Sequence, residues 1–90
     1  MANKRQLKKV INLMCSELFV ESIAIGHFQR ETSQEDLDNV MKSILRLHDD
    51  LICRVSHPEA GMPASTYYKK LRSDLMKGTN EIADQLYALV

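Results

Sequence analysis

The sequence predicts an all-α fold, an antiparallel up-down-up bundle of three helices, and three observations lead there. Apolar residues recur by threes and fours in three segments: Leu7, Ile11, Met14, Leu18 and Ile25, then Leu37, Val40, Ile44, Leu47 and Leu51, then Leu71, Leu75, Ile82, Leu86 and Leu89. That spacing lays side chains along one face of an α-helix. No run of β-branched and aromatic residues alternates between apolar and polar over the length of a strand. The segments are nearly equal in length and parted by only two short breaks, which makes neighbouring helices antiparallel.

The first helix is expected over residues 4–28, with Gly26 near its end and the polar Gln29-Arg30-Glu31 leading out. The second is expected over residues 33–56. Thr32 followed three residues later by Glu35 fits a capping box, Ser33 is an alternative cap, and Glu35 and Asp36 set negative charge against the positive end of the helix dipole. Pro58 stops this helix, because proline disfavours helical geometry at His57 before it. His57 to Ala64, with two prolines and Gly61, is the one substantial loop. The third helix, residues 66–89, starts at Ser65 or Thr66. Lys77-Gly78-Thr79-Asn80 is a weak point inside it, since glycine costs about 1 kcal/mol in a helix interior. The apolar stripe keeps its phase across that point, so the helix is expected to continue. Each helix is then roughly 37 Å long.

Ninety residues form one domain. A chain of this size buries only about 60–65% of its unfolded surface, which leaves a thin stability margin that a partner subunit would widen. Twelve basic and 12 acidic residues cancel, so no whole-molecule field draws in nucleic acid or an anionic membrane. The charge is uneven along the chain. Residues 1–30 hold Lys4, Arg5, Lys8, Lys9 and Arg30 against Glu17 and Glu21, whereas residues 31–60 hold seven acids against Lys42, Arg46 and Arg54. The first helix is therefore expected to attract the second. Two cysteines on differently oriented helix faces read as reduced thiols, which suits a cytoplasmic protein. The start of the chain imitates a lipoprotein signal ending at Cys15, but Asn12 breaks its short apolar run and Met14 stands where a small residue belongs. No uninterrupted stretch of about 18 apolar residues is present, so no membrane span is expected.

Asn3-Lys4-Arg5, Cys15 to Phe19, Arg54 to Glu59, Gly61-Met62-Pro63 and Tyr67-Tyr68-Lys69 together resemble a group of short helical proteins from Bacteroidales bacteria. The resemblance spans most of the chain. It implies a compact all-α protein and supplies no functional residues.

Several groupings bear on chemistry. His48 falls in the middle of the second stripe, where burial would keep its imidazole neutral, and counting along antiparallel helices brings it level with Cys15 and Asp74. Cysteine, histidine and aspartate are the parts of an activated thiol, but a thiolate inside a bundle has no cleft for a substrate. A buried structural histidine is the expectation. Cys53 and His57, four apart, have the spacing of two metal ligands, yet only Glu59 offers a third, so no metal or other cofactor is expected. Lys4, Arg5, Lys8 and Lys9, with Lys69, Lys70 and Arg72 near the same end, form a basic patch, the basis of an alternative reading as a nucleic-acid-associated or regulatory protein. Zero net charge and the absence of a helix-turn-helix pattern disfavour it.

The first helix carries the main functional signal. Its stripe occupies one face, yet Phe19, Val20 and Ile23 point roughly the other way, which leaves the helix apolar nearly all round from Leu18 to Phe28. Met76, Ala83 and Tyr87 lie off the main stripe of the third helix. The expectation is a small interaction protein without catalytic chemistry, a homodimer or the partner of another helical protein, with Phe19, Val20, Ile23 and Tyr87 at the interface. Cys53, opposite Leu51 and Val55, is expected to be exposed and Cys15 buried.

Overall fold

The structure, a computed structural model, describes residues 4–29 and 31–90. Asn3, part of the resemblance above, and Arg30, part of the charge count and of the first connection, lie outside them. It consists of α1 (Lys4–Phe28), α2 (Gln34–Ser56) and α3 (Ala64–Tyr87), each packed on the other two, with no strand among the described residues. This is the three-helix bundle, a rod of 49 × 18 × 16 Å. α1 and α3 run in one direction and α2 returns between them.

One core runs the length of the rod. α1 contributes Leu7, Ile11, Cys15, Leu18 and Ser22, α2 contributes Leu37, Val40, Ile44, Leu51 and Val55, and α3 contributes Tyr67, Leu71, Leu75, Thr79, Ile82 and Leu86. On α1 the inward face is rotated from the expected stripe: Cys15 and Ser22 are inside, while Met14 and Ile25 pack at its edge. Two neighbours set that rotation, because α1 must present the bisector of their directions. Ser22 and Thr79 are tolerated inside because each hydroxyl donates to the carbonyl one turn earlier, Ser22 to Leu18 and Thr79 to Leu75, both at 2.9 Å.

The α2 cap differs from the capping box. Ser33, extended at φ −62° and ψ 134°, accepts from the amides of Glu35 and Asp36 at 3.2 and 3.4 Å. The Thr32 hydroxyl donates instead to the Leu89 carbonyl at 3.2 Å, tying the first connection to the C-terminal end of α3. A tertiary acceptor within reach drew the threonine away and left the next residue to cap. At the other end, the Tyr67 hydroxyl donates to the carbonyls of Arg54 and His57 at 2.9 and 3.4 Å, which closes the last turn of α2 onto α3. The connecting loop reverses at Gly61, whose φ of 88° is natural only for glycine.

α3 begins at Ala64, ahead of the expected Ser65 or Thr66, and ends at Tyr87, before Leu89. It is unbroken at Gly78, and the reason for glycine there is tertiary. A Cβ on residue 78 would meet Leu47 of α2 at 2.6 Å, so the missing side chain lets α2 lie directly on α3.

Candidate functional site

Leu13, Ser16, Val20, Ile23 and His27 step by alternate threes and fours along the side of α1 opposite Ile11, Cys15, Leu18 and Ser22. Leu13 is 60% exposed, Val20 65% and Ile23 60%. A second apolar seam on the solvent side therefore runs through the middle of α1, and Leu13, seven residues before Val20, belongs to it although sequence reasoning did not single it out. By length and mean hydropathy, 1.3 over an 18-residue window, α1 also meets the requirement for a membrane-crossing helix, although it holds no uninterrupted apolar run of that length. It carries Glu17 and Glu21 within that length and seats one face on α2 and α3.

Phe19 departs from the expectation. It is half-buried and packs against the bundle core rather than pointing away. The row Asn12, Phe19, Gly26, spaced by sevens, explains this: Asn12 bonds to His48 of α2, and Gly26 faces Leu37 of α2 so closely that a Cβ would lie 3.0 Å from it. A residue between those two points must also face α2. The outward interface candidates on α1 are thus Val20 and Ile23, with Leu13. On α3, Tyr87 is 73% exposed and Met76 about half so.

Between α1 and α3 lies a groove of about 550 Å³, walled by Met14, Leu18, Thr79 and Ala83 and edged by Glu17 and Glu21. A smaller hollow of about 270 Å³ continues it toward the C-terminus, between Ala24 and Ile25 on one side and Leu86, Tyr87 and Val90 on the other. At the opposite end, Lys4, Arg5, Lys8, Lys9 and Asn12 line a shallow cleft of about 470 Å³.

The expected burial of His48 is not found. Its side chain is 31% exposed at the α1–α2 edge, where Nε2 donates to Asn12 Oδ1 at 2.6 Å and Nδ1 lies 3.4 Å from Asp49. The antiparallel count placed its level correctly against α1, but on α3 the neighbouring Leu47 lies on Gly78 rather than beside Asp74, and the azimuth of His48 falls beside the core. The expected level grouping of Cys15, His48 and Asp74 does not assemble. Cys15 is buried in the core, and burial pushes its thiol pKa up, away from the thiolate. Asp74 faces α2 on the α3 side, where its Oδ2 accepts from Arg54 Nη2 at 2.7 Å, with Asp50 3.4 Å from the same guanidinium. That hydrogen bond with Asp74, against a smaller opposing effect of desolvation, raises the Arg54 pKa. Cys53 is exposed, and the His57 amide caps α2 by donating to the Cys53 carbonyl at 3.0 Å. No three histidine, cysteine or acidic side chains gather as metal ligands among the described residues.

The expected attraction between α1 and α2 takes another form. No ion pair joins them among the described residues, and the bond from His48 to Asn12 is a polar link between them. Charge is sorted along the rod instead. The half containing residues 4–15 and 46–78 carries ten bases and four acids, while the half containing the other described residues carries Lys42 against eight acids. No known protein family, curated protein or solved structure matches the chain.

Proposed function

We propose that this chain is a small, non-catalytic helical interaction protein that works as a homodimer through the outer face of α1. The observation that carries the reading is the exposed seam of Leu13, Val20 and Ile23 on a helix whose opposite face already fills the core. Each of these side chains has more than half its surface in water, and covering it is worth roughly 1–2 kcal/mol. Tyr87 and Met76 extend the apolar surface across the groove onto α3. The separate engagements of His48 and Asp74 support a reading without thiol chemistry, and two free cysteines fit a reducing compartment such as the cytoplasm.

Sedimentation equilibrium tests it. The unmodified chain is expected to run as a dimer, and Val20→Asp is expected to weaken association at least a hundredfold, since a lost apolar contact and a desolvated carboxylate together exceed about 3 kcal/mol. A monomer at high concentration for the unmodified chain refutes the reading. The basic cleft of Lys4, Arg5, Lys8 and Lys9 favours a second reading, attachment to nucleic acid. Retention of the protein on duplex DNA that falls steeply with salt would establish that reading, and no retention at low salt would exclude it.

A further inference from the structure

The sorting of charge along the rod selects an arrangement for the two copies. We propose that the second copy lies antiparallel to the first along α1, so that the basic end of each bundle sits beside the acidic end of the other. The inference rests on the homodimer reading above and adds the orientation.

The apolar seam occupies the side of a 49 Å rod, not its ends, so copies that cover it must lie side by side. Packed helices approach to about 8–10 Å between axes, and the charges flanking the seam then fall within a Debye length of about 8 Å at physiological salt. A parallel pair would set Lys4, Arg5, Lys8 and Lys9 beside the same four bases, and repeat the conflict with Glu17 and Glu21 farther along. Reversal of one copy turns both conflicts into attraction.

Local helix energetics account for only part of the sorting, since Glu35, Asp36 and Arg54 complement the dipole of α2. Lys4 and Arg5, by contrast, open α1 at the positive end of its dipole, where cations are unfavourable. Asp84 stands in the last turn of α3, at its negative end, with the same disadvantage. Charges placed against their own helices point to a partner of opposite charge.

Ser16 is the middle residue of α1, and full overlap about it brings Leu13 of one copy beside Val20 of the other and Lys9 beside Ile23. The small Ser16 side chain lies at the crossing. Glu17 then approaches its own copy, a single like-charged pair at an exposed edge, against the opposed halves on either side.

Cross-linking separates the arrangements. Lys9→Cys and Ile23→Cys are made singly in a Cys53→Ser background, with the buried Cys15 retained. Antiparallel copies hold the two Lys9 positions, and the two Ile23 positions, about 20 Å apart along the axis, too far for a disulfide. Oxidation is therefore expected to join the mixed pair and to join neither variant alone. Disulfides formed by each variant alone show a parallel dimer and overturn the orientation while leaving the homodimer reading intact. A dimer that forms no cross-link from either variant or from the mixture places the interface elsewhere and overturns both, as does a monomer by sedimentation. On the unmodified protein, raising sodium chloride from 50 to 500 mM is expected to weaken the dimer at least tenfold. An unchanged or tighter dimer overturns the antiparallel arrangement without depending on any variant.

Discussion

Replacing Gly78 by alanine sets helix propensity against tertiary packing at one atom. Alanine in the interior of α3 gains about 1 kcal/mol over glycine if nothing else changes. Here the new methyl group would lie 2.6 Å from Leu47 Cδ1, 3.0 Å from Cδ2 and 3.4 Å from Cγ, all inside the contact distance of about 3.5–4.0 Å. Rotation about the Cβ–Cγ bond can bring the Cγ hydrogen to the nearest position, but it leaves Cγ at 3.4 Å and one methyl still near 3.0 Å. Leu47 must turn at χ1 or push α2 away, and overpacking of that kind costs about 1–3 kcal/mol. The net expectation is a loss of about 1 kcal/mol, which for a domain of this size lowers Tm by about 4–8 °C. In a Leu47→Ala background the obstacle is gone, and Gly78→Ala is expected to stabilise by about 1 kcal/mol, a coupling of about 2 kcal/mol between the positions. Urea unfolding followed by far-ultraviolet circular dichroism, all four proteins at one concentration, measures the cycle. If Gly78→Ala stabilises both backgrounds equally, glycine is not there for the approach of α2, and the packing argument fails.

Other perturbations test separate parts of the fold. Ser33→Ala is expected to cost about 1 kcal/mol of stability by removing the α2 cap, and Thr32→Ala less, since its hydroxyl makes one bond outside the helix; the reverse order in thermal unfolding would restore Thr32 as the cap. A thiol reagent is expected to label Cys53 in seconds to minutes and Cys15 only on unfolding, with mass spectrometry of the two peptides as the readout. Because the folded Cys15 thiol titrates above its unfolded value of about 8.5, the unfolded chain loses its proton first. The stability it contributes is complete below that pH and is lost as pH rises toward the folded value, and Cys15→Ala should flatten this part of the alkaline stability profile. Asp74→Asn is expected to cost no more than about 1 kcal/mol, because both it and Arg54 reach solvent; a loss above about 3 kcal/mol in denaturant unfolding would show that the pair behaves as a buried one.

Local chemistry sufficed for the three helices and the connections between them, because apolar spacing, prolines and charged first turns act over a few residues. The run of α1 from Lys4 to Phe28 and the end of α2 before Pro58 were legible in that way. The outward apolar residues Val20 and Ile23 were also legible, since a helix apolar on both sides is visible from periodicity alone. What periodicity leaves open is azimuth: a stripe is broad, and only the directions of two neighbouring helices decide which of its residues face inward. For that reason Cys15 is inside as expected, Ser22 joins it while Met14 and Ile25 pack at the edge, Phe19 packs toward α2, and His48 sits beside the core instead of within it. Thr32 left the α2 cap for a carbonyl 57 residues away, and Gly78 answers to Leu47, a residue of another helix. Charge shows the same division. That 12 bases and 12 acids cancel follows from composition alone; their sorting to opposite ends of a rod, among the described residues, follows from the reversal of α2, because antiparallel packing brings the basic starts of α1 and α3 to the end where α2 finishes.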